Sequence, residues 1–206
     1  MELTAAESRV LGALIEKHMT TPDHYPLTTN ALIAACNQSS NRDPVVSYDE
    51  DIVIDAMNAL RELRLAKTVR RHGERAMKHM EVVEEPLEID RRQKVLLAVL
   101  LLRGPQTLGE LRSRTERYCT FADLDDVANT LAAMERRDEP LVTLLSRRPG
   151  QKEARYQQLI SDEDIAAGIP APPQEAAPAV DELAALRQEV AALRSEVAHL
   201  RGLISG

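Results

Sequence analysis

The richest concentration of reactive side chains is the stretch NQSSNRDPVVSYDE, residues 37–50, where hydroxyls, carboxylates and one guanidinium stand together. Nucleophilic catalysis would need a Ser or Cys within hydrogen-bond reach of a base. The nearest His in sequence is His24, and no spacing ties it to Ser39 or Cys36. Elsewhere there is no Gly-rich phosphate loop, no His/Glu metal-ligand spacing and no nucleophile motif, so the expectation is a protein that is not an enzyme, with no catalytic residue, metal site or cofactor. Turn chemistry accounts for much of the stretch. Asn37, Ser39, Ser40 and Asn41 leave a helix readily by bonding their own backbone, Asp43-Pro44 forces an extended or turn geometry, and Ser47 followed by Glu50 has the spacing of a helix-capping box. Length is left over, since roughly ten residues stand where a helix-turn-helix turn needs three or four. Long polar loops are where binding function concentrates, which makes Asn41, Arg42 and Asp43 the loop candidates.

The elements that must position this loop announce their starts. Thr4 with Glu7 and Thr107 with Glu110 repeat the capping-box spacing, and Thr120 with Asp123 is a weaker version. Behind the first cap run amphipathic stripes: Val10, Leu11, Leu14, Ile15 and Met19, then Leu32 and Ile33, then Val53, Ala56, Met57, Leu60 and Leu63. Three helices are followed by AKTVRRHGERAMKHMEVV, two short strand-like runs around Gly73 that read as a hairpin. The same order recurs in RRQKVLLAVLLLRG, TLGELRSRTERY, FADLDDVANTLAAMERR and a second hairpin, LVTLLSRRPGQKEARYQQLI, turning at Pro149 and Gly150. Val53, Met57 and Leu60 correspond to Val127, Leu131 and Met134 at one constant offset. Three helices closed by a hairpin is the winged form of the helix-turn-helix. The expected fold is therefore mainly α with small β-hairpins: tandem winged-helix domains at residues 1–85 and 86–160, followed by a linker and a C-terminal coiled-coil helix. The run Val95 to Leu102, VLLAVLLL, is apolar around the whole helix, so it should pack beyond its own domain, on the neighbouring domain or on a partner.

Residues 161–180 are Pro- and Ala-rich without periodicity and read as a semi-extended linker. From residue 181 a heptad seam appears, with Leu183, Val190, Val197 and Ile204 at a and Leu186, Leu193 and Leu200 at d. Mostly β-branched residues at a with Leu at d favour a parallel two-stranded coil. Glu182, Glu189 and Glu196 at g then face Arg187, Arg194 and Arg201 at e, so a homodimer through this coil is expected. A single amphipathic helix folding back on its own domains is the alternative.

The net charge is -7 and aromatics make up only 2% of the chain, with Phe121 the sole Phe and no Trp, which argues against base-stacking platforms. Cys36 and Cys119 stand alone, as small buried hydrophobes in a reducing compartment do. The N-terminus lacks a basic and apolar leader pattern, and no apolar run is long enough for a bilayer, so a cytoplasmic protein without a membrane is expected. A winged helix usually inserts the start of its third helix into the major groove. Here those starts read Tyr48-Asp49-Glu50-Asp51 and Asp123-Leu124-Asp125-Asp126, which would meet phosphates with like charge. The hairpins point the other way. Arg70, Arg71, Arg75, Lys78, Arg147, Arg148 and Lys152, beside Lys67 and Arg155, are the nucleic-acid-binding candidates, although charged hairpin edges also protect against strand pairing between molecules. Arg112, Arg114 and Arg117 add a basic face to the second helix of the second half.

The strings LIEKHMTTPDHYPLTTNALIAACNQSSNRDPV, LLLRGPQTLGELRSRTER and PGQKEARYQQL resemble the YceH-like family of bacterial proteins over roughly residues 1–160. The resemblance implies tandem winged-helix domains and no established biochemical activity. Where that family carries a Tyr in the first wing this chain has His79, so an aromatic wing contact is not implied. Two binding roles follow. One is a dimeric regulator associated with double-stranded DNA through its basic wings. The other is a protein-interaction scaffold resembling the acidic tandem winged-helix subunits of chromosome-segregation complexes.

Overall fold

The computed structural model describes residues 1–70, 76–147 and 151–161. The expected linker and coil, with Leu183, Leu186, Val190, Leu193, Val197, Leu200 and Ile204, lie outside them. In the first half, α1 (Ala5–Thr20) leads through a 3-10 turn at Pro22–His24 and the short strand β1 (Leu27–Thr28) to α2 (Thr29–Cys36), α3 (Glu50–Glu62) and the strands β2 (Ala66–Val69) and β3 (Lys78–Glu81). The second half repeats this order with α4 (Arg91–Arg103), α5 (Leu108–Thr115), α6 (Leu124–Glu135), β4 (Val142–Leu145) and β5 (Arg155–Gln158).

Caps set the helix starts. Thr4 with Glu7 and Thr107 with Glu110 form reciprocal capping boxes, as their spacing predicts, and Asp90 with Gln93 forms a third at the start of α4. Two expected caps are displaced. Asp49, not Ser47, caps α3 by accepting from the Ile52 amide, and Asp123, not Thr120, caps α6 by accepting from Asp126. The extended backbone at Asp49 and Asp123 aims a short carboxylate straight at the third amide, and aspartate does this as well as serine.

Both hairpins are antiparallel. In the first, β3 lies between β1 and β2, pairing Leu27 with His79 and Ala66 with Glu81. In the second, β4 and β5 pair Val142 with Gln158, and a bridge between Gln106 and Tyr156 stands where β1 stands in the first half. The matched triplets Val53, Met57, Leu60 and Val127, Leu131, Met134 are all buried.

The two halves share one core. Every residue from Val95 to Leu102 is buried, because α4 is covered on one side by α1 and on the other by α5, α6 and β5 of its own half. The apolar run therefore packs on the neighbouring half. Gly12 permits the approach: a Cβ there would sit 2.9 Å from Leu102 Cγ and 3.1 Å from Leu101 Cβ. A backbone bond from the Leu3 amide to the Ile160 carbonyl, 2.7 Å, ties the start of the first half to the end of the second.

Candidate functional site

Asn37, Asn41 and Arg42 of the loop between α2 and α3 are used for packing. Arg42 is buried, and its guanidinium forks onto both oxygens of Glu16 on α1, at 2.6 and 3.1 Å. It also donates to the Ala35 and Asn41 carbonyls. Burial pushes the Glu16 carboxyl up, but the bonds and charge of Arg42, joined by Lys17, outweigh burial and hold it below its ordinary value. Arg9, also buried, reaches the Cys36 and Pro44 carbonyls at 3.3 and 2.6 Å. Asn37 exchanges two bonds with the Tyr48 backbone. The loop continues to α4, where the Asp43 amide donates to the Leu102 carbonyl at 2.9 Å and Arg103 donates to the Asn41 side chain. Asn41 sits at φ 60°, a left-handed conformation that Asn tolerates better than most residues. Of the three loop candidates, Arg42 is consumed internally, while Asn41 and Asp43 clamp the end of α4.

Beside this clamp opens a cleft of about 200 Å³. Its floor is Ala98, Val99 and Leu102 of α4, and its rim carries Arg103, Arg114 and Arg117 with Ser113, Tyr118 and Asn41. The nearest carboxylates are already committed. Glu16 belongs to Arg42, and Glu110 holds Arg155 at 2.7 and 3.2 Å while staying 4.0 Å from Arg114. Burial and the positive charge of Arg114 pull Arg103 down from its usual value. Burial and the Glu16 charge push the Tyr118 phenol up.

A second buried polar group sits at the other end of α4. Glu81 on β3 accepts from Lys94 of α4 at 3.1 Å, from the Val83 amide at 3.0 Å, and bonds His18 of α1 at 2.5 Å. Burial raises this carboxyl, and these three partners more than reverse the effect. The Tyr25 hydroxyl accepts from the Glu81 amide while its ring stacks on His18 with centroids 4.6 Å apart.

The hairpin candidates divide. Arg70, Arg147 and Lys152 are exposed, as is Lys67, and none has an ion-pair partner among the described residues. Lys78 is half-buried on β3. Arg71, Arg75 and Arg148 lie outside the described residues. Arg155 is drawn inward to Glu110. His79 is also internal, bonded to Thr29 at 2.9 Å and Thr68 at 3.2 Å, so it fastens β3 to its neighbours. At the helix starts Asp49, Glu50, Asp51 and Asp55 are exposed, as are Asp123 and Asp125, whereas Asp126 is paired with Arg92 at 2.5 Å.

Burial pushes the Cys36 thiol up to about 12 and also raises Cys119, leaving both largely protonated near neutral pH. Among the described residues no group of three or more His, Cys, Asp or Glu could hold a metal ion, and no helix is long and apolar enough to cross a membrane.

Residues 3–151 match a family described as "Protein of unknown function, DUF480". The chain is 47% identical over 176 residues to a "UPF0502 protein" of Geobacter metallireducens, covering 84% of this chain and 80% of the relative. It is 50% identical over 160 residues to a namesake from Pelobacter propionicus, covering 78% and 73%. A third, from Solibacter usitatus, is 46% identical over 185 residues, covering 89% and 85%.

Proposed function

The chain belongs to the DUF480 family of proteins of unknown function, and from that premise we propose that it is a non-enzymatic, DNA-associated regulatory protein. In this reading it is a dimer of tandem winged helices that grips duplex phosphates with its hairpins instead of reading bases with its third helices. One observation carries it: Lys67 within β2, Arg70 just after it, Arg147 just after β4 and Lys152 just before β5 stand exposed on two repeated hairpins, without an ion pair among the described residues. Cations held away from carboxylates are available to phosphate, and such contacts set affinity and its salt dependence without reading sequence. The exposed aspartates at the starts of α3 and α6 work against groove insertion. Pairing two copies through the heptads at residues 181–206 would double the contact and raise apparent affinity.

The test is binding of the full chain to a duplex of random sequence across a salt series. Log affinity should fall steeply with log salt, and changing Arg70, Arg71, Arg147 and Arg148 together to Glu should abolish binding. No binding at low salt removes the reading. Changing Leu186 and Leu193 to Asp should halve the mass in solution, and an unchanged mass removes the dimer.

A specific observation favours the scaffold as second reading. Ile52 and Ile54 are exposed on α3 among Glu50, Asp51 and Asp55, and Leu63 is exposed at its end. Apolar side chains ringed by carboxylates suit a basic, partly apolar protein surface. Retained partner binding in an Arg-reversed variant that has lost DNA would select this reading.

A further inference from the structure

We propose that the cleft between the α2–α3 loop, α4 and α5 is a binding site for a small metabolite carrying a phosphate or carboxylate group. Arg103, Arg114 and Arg117 line one recess, and the two nearest carboxylates, Glu16 in the lining and Glu110 at 4.0 Å from Arg114, make their hydrogen-bonded ion pairs with other arginines. Glu16 has both oxygens on Arg42, and Glu110 has both on Arg155. Arg117 has no ion pair among the described residues, and the Ser113 hydroxyl has no hydrogen bond among them. Three like charges brought together with only partial neutralisation oppose folding, and planar guanidinium forks match the geometry of a bound oxyanion.

The rest of the cleft fits the same ligand. Ala98, Val99 and Leu102 form a floor of low polarity, which strengthens each charged contact relative to open water. Ser113 and Tyr118 add hydroxyls at the rim, one exposed and one half-buried. At about 200 Å³ the space falls below the ~300–1,000 Å³ of pockets for drug-sized ligands. It therefore suits a compact anion and excludes a duplex. Its walls come from both halves of the fold, with Asn41 and Glu16 from the first and Arg103, Arg114 and Arg117 from the second. An occupant binds only when the halves are docked, so it stabilises that arrangement by mass action. The inference is independent of the hairpins and holds whether or not they grip DNA.

The experiment uses the full chain with sodium pyrophosphate and sodium citrate as separate probes, each against sodium chloride of matched ionic strength. Calorimetric titration and thermal melting are the two readouts. Saturable binding at one site, with a rise in melting temperature, is expected for at least one probe, and the responding probe identifies the group as phosphate or carboxylate. Arg117→Gln and Arg114→Gln should each weaken that binding about tenfold or more, the worth of one charge-assisted hydrogen bond. Arg117 is exposed, so its variant should melt like the parent when no probe is present. Absence of saturable binding by both probes up to about 10 mM, a free energy too small for a built site, overturns the proposal. So does equal affinity in parent and both variants, because the anion then binds elsewhere. Displacement of the probe by duplex DNA also overturns it, since the arginines would then belong to a nucleic-acid surface.

Discussion

Replacing Arg42 by Ala tests how the loop is held. All five N–H donors of this guanidinium have acceptors. Two go to Glu16, two to the Ala35 carbonyl and one to the Asn41 carbonyl, at 2.6 to 3.1 Å. The Arg42 side chain is wholly inaccessible and that of Glu16 is 6% exposed. Alanine would leave the Glu16 carboxylate with Lys17 alone, at 3.4 Å, and two carbonyls without their donor. Breaking a buried ion pair by removing one partner costs about 3–5 kcal/mol, a large share of the roughly 5–15 kcal/mol that holds a typical domain. Urea unfolding of Arg42→Ala at pH 7, followed by circular dichroism, should show that loss. A loss below about 1 kcal/mol would mean that water reaches Glu16 and that the pair is not internal.

The pH dependence separates charge from packing. In the parent, Glu16 titrates below its ordinary value. A depressed carboxyl contributes stability that is present above the unfolded value and lost as pH falls through the folded one. In Arg42→Ala the larger contributions that outweighed burial are gone and only Lys17 still opposes it, so burial should raise the carboxyl and reverse the sign. The variant should then become less destabilised relative to the parent as pH drops from 7 towards 4, because protonation relieves the stranded charge. Adding Glu16→Gln to Arg42→Ala should recover part of the loss at pH 7. A penalty independent of pH, with no recovery in the double variant, would assign the effect to lost volume.

Four further outcomes follow from the packing and the caps. Lys94→Met should destabilise by about 3 kcal/mol, the lower end for a broken buried pair because His18 and the Val83 amide still hold Glu81; a urea midpoint equal to the parent's at pH 7 would refute this. The same substitution should flatten the loss of stability between pH 7 and 4, since Glu81 then has less depression to lose on protonation. Gly12→Ala sets a helix-propensity gain of up to about 1 kcal/mol against an overpacking cost of about 1–3 kcal/mol at Leu101 and Leu102, so the melting temperature should fall, and a rise would deny the close approach of α1 and α4. Asp49→Ala and Asp123→Ala should each cost about 1 kcal/mol, while Ser47→Ala and Thr120→Ala stay near zero; equal losses within either pair would return the caps to the hydroxyl residues.

What could be read in advance was what is encoded locally. Thr4–Glu7 and Thr107–Glu110 are three residues apart, so the chain itself displays both halves of each cap. The buried triplets of α3 and α6 recur at one offset and made the repeat visible. Ser47 misled because Asp49 lies two residues on and is an equally good acceptor; only the backbone angles decide between them. Nothing local marks Glu16 as the partner of Arg42, because they are 26 residues apart and Glu16 follows the apolar Leu14 and Ile15 as any surface residue could. Glu81 and Lys94 were hidden for the same reason. Arg114 and Arg117 were legible as a basic face, but the recess they line needs α1 and the loop from the other half, which periodicity cannot supply.

The placement of these buried ions answers a problem created by α4. Leu96, Leu97, Leu100, Leu101 and Leu102 are interchangeable in size, so an interface built from them alone distinguishes poorly between α1 and α4 docked in register and docked one turn, about 5.4 Å, out of it. Polar contacts at both ends of the helix remove that freedom. At the start, Lys94 bonds Glu81 in the observed register, and at the end Leu102 and Arg103 meet the loop that Arg42 and Arg9 fasten. A slip would take the buried Lys94 ammonium away from Glu81 and leave it only the exposed Glu84, a penalty that displaced leucines do not incur. The α2–α3 loop is long because it must travel from α2 across α1 to the end of α4, and the cationic cleft opens where that crossing ends.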